Sequence, residues 1–162
     1  MIIVSNTSPI TNLAAIGQFE LLHCLYGSIH IADAVWNELH ADEYEWPGAV
    51  ETASAGWIIR HSVSNRPLVN ILRRDLDRGE AESIALALEL KADLLLLDEK
   101  DGRHIAQQAG LTVVGVVGML LEAKAKGYLT AVRPHIEALR QQAGFYLHLR
   151  VYQAALRLAN EM

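Results

Sequence analysis

The stretch Asp93-Leu94-Leu95-Leu96-Leu97-Asp98 sets four leucines between two acids and has no polar side. Such a run suits a strand covered on both faces, as in a parallel sheet packed between helices. Met1 to Val4 is a second apolar run, rich in β-branched residues, and predicts the first strand. It ends at Ser5-Asn6-Thr7-Ser8-Pro9, where Pro9 suits the first turn of a helix and Ser8 or Thr7 can cap it. Short helices are predicted over Ile10 to Ile16 and Phe19 to Leu25, divided by Gly17. Ser28 to Ala32 alternates apolar and polar residues and reads as a strand, after which Asp33 caps a helix from Ala34 to about His40.

The second half of the chain repeats this alternation. Trp46-Pro47-Gly48 opens a helical segment ending near Gly56, and Trp57 to Arg60 reads as an edge strand. Ser62 to Pro67 is a polar connection into a helix from Leu68 to Leu76. Gly79 precedes Glu80 to Leu88, a strong helix sequence. After the leucine strand come a helix from Arg103 to Ala109, a strand from Leu111 to Val114, and helices over Val116 to Lys126, Pro134 to Gln142 and within Tyr146 to Met162. Strands and helices that alternate in this way call for an α/β fold with a parallel sheet and helices on both faces. With no linker, repeat or low-complexity stretch, residues 1–162 are expected to form a single domain.

Composition narrows the picture. No apolar run approaches the ~18 residues of a membrane span, and the opening residues lack the basic and apolar regions of a secretory signal. The single cysteine, Cys24, is expected to be a buried small apolar residue, and a cytoplasmic location is expected. The formal charge of −5 argues against a uniformly basic nucleic-acid-binding surface. It leaves room for a nuclease whose gathered acids are offset by metal, with local cations such as Lys100 and Arg103 meeting phosphates.

The candidate chemistry lies at strand ends and on helix faces. In open α/β sheets ligands bind beyond the carboxyl ends of the strands, which is where Asn6 and Asp98 fall. Glu38, Glu80 and Asp101 are able to converge there. Glu80 and Glu82 point about 160° apart on a regular helix, so only one of them faces a common site; Glu80 is the preferred inward acid and Glu82 the second choice. Clustered carboxylates repel one another unless neutralised. Hard cations such as Mg²⁺ take oxygen ligands and activate water against phosphodiesters. The chain has no zinc-binding His-Glu-x-x-His, no Gly-x-Gly-x-x-Gly or Walker loop, and no Gly-x-Ser-x-Gly elbow. A phosphotransfer receiver domain also uses acids at strand ends, but Val113-Val114-Gly115 lacks the late strand-end lysine that it needs.

Four blocks carry a family resemblance: Val4-Ser5-Asn6-Thr7-Ser8-Pro9, Ile31 to Leu39, Asp77 to Ala87 and Ala92 to Arg103. Together with the tail from Gly144 through Tyr152 to Leu158, they resemble the PIN-domain family, the ribonuclease fold of VapC-type toxins. The resemblance implies a three-layer α/β/α sandwich with a central, mostly parallel sheet. It implies RNA cleavage by metal-activated water, with Mg²⁺ or Mn²⁺ as cofactor. Glu38, Glu80 and Asp98 match the acidic positions, with Asp98 as the main metal ligand and Glu38 and Glu80 completing the site, and Glu82 remains a rival to Glu80. Asp101 would be an outer metal ligand, and Ser8 matches a small hydroxyl residue that supports the site. Asn6 matches the first acid but is an amide, so it would orient water or bind substrate; Lys100 and Arg103 would bind RNA. The resemblance further implies a toxin–antitoxin pair, a small antitoxin partner and a homodimer. The rival expectation is a PIN-fold module that binds nucleic acid or protein without cutting.

Overall fold

A computed structural model describes residues 1–41 and 46–162. Five strands form one sheet in the order β3-β2-β1-β4-β5, and every pairing is parallel. These are β1 (Ile3–Ser5), β2 (Ile29–Ala32), β3 (Ile58–His61), β4 (Leu94–Leu96) and β5 (Val113–Val114). The chain runs outward from β1 through β2 to β3, then returns to the other side of β1 for β4 and β5. The order therefore reverses between β1 and β4, the place where α/β sheets open a crevice at their carboxyl ends.

The leucine strand is buried on both sides, as its pattern predicts. Leu94 and Leu96 enter one core and Leu95 and Leu97 the other, and Ile3 and Val4 of β1 divide in the same way. The first core packs the sheet against α1 (Thr7–Ala15), α2 (Leu21–Tyr26), α8 (Val116–Ala125), α9 (Arg133–Gln142) and α10 (Leu149–Leu158). The second packs it against α5 (Arg66–Leu72), α6 (Arg78–Leu90) and α7 (Lys100–Gln108). Two helical layers thus enclose the sheet, giving the α/β/α sandwich. The short helices α3 (Asp33–Leu39) and α4 (Ala49–Ser54) complete it.

Several boundaries move for identifiable reasons. Helix α1 starts at Thr7 instead of Ile10, because Pro9 fits inside a first turn whose amides have no helical acceptor. Helix α6 starts at Arg78, because the Asp77 carboxylate accepts the Glu80 amide at 2.8 Å and caps the end. Strand β2 alternates in sequence but is almost wholly buried, since both of its faces are covered. Cys24 is exposed, contrary to expectation. On α2 the stripe Leu21, Leu22 and Leu25 faces the core and turns His23 and Cys24 outward. No described helix is long and apolar enough to cross a membrane.

Candidate active site

Beyond β4 the chain stays extended as far as Glu99, with φ −64° and ψ 134°. Side chains alternate sides along such a segment. Leu95 and Leu97 lie on the α6 side, so Glu99 follows them there, while Asp98 follows Leu94 and Leu96 to the opposite side. Two neighbouring acids therefore enter two different environments.

Glu99 enters a carboxylate cluster at the carboxyl ends of β1 and β4. Its Oε1 accepts the Ser8 hydroxyl, and its Oε2 lies 3.4 Å from the Asn6 side-chain amide nitrogen. Glu80 reaches the cluster from the first turn of α6 and Glu38 from the end of α3, where the Thr7 hydroxyl donates to Glu38. Asp77, the cap of α6, adds its charge to both glutamates. Two glycines leave the necessary room. A Cβ at Gly79 would stand 2.3 Å from a Glu38 carboxylate oxygen, and one at Gly102 would stand 3.1 Å from a Glu80 oxygen.

Crowding changes how these acids hold protons. Burial, followed by the Asp77 hydrogen bond and charge and then the charges of Glu99 and Glu38, pushes the Glu80 carboxyl up to about 8. Burial also raises Glu38; the charges of Asp77 and Glu99 add to this, against the Thr7 hydroxyl and the Gly79 amide. Three glutamates, with Asp77 beside them, thus share a partly buried space.

The residues singled out in the sequence separate by place. Asn6 is buried, and its amide oxygen lies 3.5 Å from the Ser83 hydroxyl. It occupies the cap position of α1 but makes no capping bond; its side chain turns into the cluster instead. Ser8 supports Glu99 as described. Asp98, expected to be the main metal ligand, turns to α8, where one oxygen accepts the Val116 amide at 2.9 Å. Its other oxygen is buried without a hydrogen-bond partner among the described residues. Burial chiefly raises this carboxyl to about 6; the Glu99 charge adds, and the Val116 amide, Arg103 and Asn12 oppose.

Glu82, the second choice for the inward acid, is 1% exposed and fully occupied elsewhere. It accepts the Ala34 amide at 3.1 Å and pairs with Arg78 at 3.1 Å and Arg66 at 3.4 Å. The helical angle between positions 80 and 82 sends it to the start of α3, just beyond β2, rather than to the ends of β1 and β4. Asp101 is exposed on the outer side of α7, so as an outer ligand it would have to act from outside the cluster. Lys100 is exposed beside it, whereas Arg103 is half-buried and donates to the Leu97 carbonyl at 3.2 Å.

Glu99, Asp77 and Thr7 belong to the site and were not singled out by sequence. For Glu99 the signal was available in the strand's parity: position 99 shares a face with Leu95 and Leu97, and position 98 does not. Asp77 reads in sequence only as a helix cap, and nothing local marks Thr7 as a partner for Glu38.

The donor set is all oxygen, and the carboxylates raise one another's protonation. This chemistry fits a hard divalent cation, which would relieve the repulsion. Glu38, Glu80 and Glu99 are the residues that would hold it. As they stand, no three acidic, cysteine or histidine side chains among the described residues are close enough together to hold a metal ion, so these glutamates would have to draw in around it.

No curated protein matches the chain. A solved structure of a PilT N-terminus domain protein from the archaeon Sulfolobus solfataricus is similar, with TM-score 0.55 and 19% identity over 91% of this chain and 98% of that one. At that identity the likeness concerns the fold. A family model described as PIN domain matches residues 2–161. With that match spanning nearly every residue, the chain belongs to the PIN-domain family, a nuclease-type fold.

Proposed function

We propose that this protein is a Mg²⁺- or Mn²⁺-dependent ribonuclease. The observation that carries the reading is the convergence of Glu38, Glu80 and Glu99 at the carboxyl ends of β1 and β4. A bound divalent cation supplies Lewis-acid stabilisation of a phosphodiester and lowers the cost of ionising water. The chain supplies the positioning. Ser8 and Thr7 hold Glu99 and Glu38 by their hydroxyls, and the Asn6 amide faces Glu99 as a neutral donor. Glu80 keeps a proton on its carboxyl near neutral pH and gives it up when the charge around it is neutralised. Exposed Lys100 is placed to meet a phosphate at the rim.

A second reading has its own observation in Asn6. An amide at the first acidic position, with no closed cage, suits a PIN-fold module that binds nucleic acid or protein without cutting. Cleavage of a mixed RNA pool with Mg²⁺ or Mn²⁺ separates the two. The native chain is expected to cut, and cutting should cease with chelator and in Glu99→Gln. Undiminished cutting by Glu99→Gln removes the proposed site. Activity appearing only in Asn6→Asp supports the binding module.

The proposal extends to the toxin half of a toxin–antitoxin pair, acting as a homodimer and restrained by a small antitoxin. Support for this part comes from the family resemblance. Light scattering tests the dimer, which is abandoned if the mass stays near 17.9 kDa at every concentration.

A further inference from the structure

Beside the acid cluster, a cleft of about 970 Å³ opens between α7 and the segment that follows α9. One wall is the outer side of α7, with Lys100, Arg103 and His104. The facing wall is Phe145, Tyr146 and Leu147, brought round by Gly144, whose φ of +63° turns the chain sharply after α9. Phe145 and Leu147 are half-buried and tie the segment to the core, and the Phe145 amide donates to the Leu139 carbonyl at 3.0 Å. Tyr146 between them is 83% exposed. The fold gains little from that ring, so its aromatic face is free for a ligand.

The cleft lies on the other side of α7 from the carboxylate cluster, and the two are joined only round the first turn of that helix, where Lys100 follows Glu99. The first turn of α7 presents Gly102 to Glu80 on its inner side, while Lys100, Arg103 and His104 line the cleft. A chain that passes from the carboxylates round the first turn of α7 meets the Lys100 ammonium on one side and an exposed aromatic ring on the other. Proteins that hold single-stranded nucleic acid combine these two elements: cations along the backbone and aromatic faces on which bases stack. Asp98 and Asp101 also line the cleft. The Val116 amide engages one Asp98 oxygen without cancelling its charge, so Asp98 and exposed Asp101 both oppose phosphate and confine the favourable path to Lys100 and His104.

We infer that this cleft is a subsite for single-stranded RNA in which a base stacks on Tyr146, while Lys100 and His104 follow the backbone. The inference rests on the ribonuclease reading for its substrate, yet it is a statement about binding and is tested without cleavage.

The test uses the full chain carrying Glu80→Gln, in chelator, with a fluorescent single-stranded oligouridine of about 12 nucleotides. Binding is followed by anisotropy. Tyr146→Ala should weaken binding by about fivefold or more, and Tyr146→Phe should restore it. With an abasic oligomer of the same length, Tyr146→Ala should make no difference, because only the bases stack. Lys100→Ala should lower the salt dependence by about one phosphate contact on either oligomer. Equal affinity of native and Tyr146→Ala chains for oligouridine overturns the inference. So does a fall in mass by light scattering in Tyr146→Ala, which would make the face an interface between copies of this chain. A failed cleavage assay alongside Tyr146-dependent binding would sink the nuclease reading and leave the subsite standing; cleavage without that dependence would do the reverse.

Discussion

Glu80 and Glu82 stand two residues apart on α6, both buried, in opposite electrical surroundings. Glu82 has two guanidinium groups and the Ala34 amide. Glu80 has Asp77, Glu38 and Glu99. A buried carboxylate with compensating partners works as architecture, here joining α6 to α3 and α5. One surrounded by like charge is held in readiness for a cation or a proton. Burial alone does not distinguish a structural acid from a chemical one, and the neighbours' charges do.

The sharpest way to break this comparison is to neutralise each member in turn. Glu80→Gln should reduce metal-dependent cleavage by about a hundredfold or more while leaving the fold intact. Glu82→Ala should lower unfolding stability by about 1–2 kcal/mol in a denaturant titration, because it leaves the buried Ala34 amide without its acceptor, while the half-exposed Arg66 and Arg78 turn to water. Its activity per folded molecule should be unchanged. If Glu82→Ala instead abolishes cutting without loss of stability, the two roles have been assigned the wrong way round.

A smaller effect sharpens the contrast. Saturating Mn²⁺ should raise the melting temperature by a few degrees, roughly 2–6 °C, since a ligand bound only to the folded state stabilises it. The rise should vanish in Glu99→Gln and persist in Asp101→Asn. Equal shifts in both variants would place the metal elsewhere.

The smallest effect is on pH. Glu80 and Asp98 hold protons in the folded chain up to about 8 and about 6. Unfolded, both titrate near ordinary carboxylate values, so across this window the native state binds more protons and stability falls as pH rises. The metal-free protein should therefore melt roughly 2–5 °C lower at pH 8 than at pH 5. Glu80→Gln should flatten the upper part of that slope. A melting temperature that climbs from pH 5 to pH 8 contradicts the surroundings described for Glu80.

Much of this could be read before any coordinates. The unbroken leucines of β4 required two covered faces, and the 100° step of a helix required Glu80 and Glu82 to part company. What escaped was decided by side-chain direction over one residue. The apolar run ends at Asp98, which drew attention to the acid that turns away to α8, while Glu99 one step later enters the cluster. Cys24 escaped for the same kind of reason: its type suggests burial, but its angle on a six-residue helix turns it outward. Partners supplied from distant segments, such as Thr7 for Glu38 across 31 positions, have no local signature at all.

Gly79 and Gly102 carry a consequence for recognising sites of this kind. Gly79 lies in the first turn of a helix, where an alanine would favour the helical backbone by about 1 kcal/mol. The chain accepts that cost for an empty volume the size of one methyl group. A related sequence could keep every acid named above, gain a side chain at position 79, and have to move the Glu38 carboxylate from its present place. The two absent methyl groups are therefore part of the site's geometry, and a search that scores acids alone would overlook them.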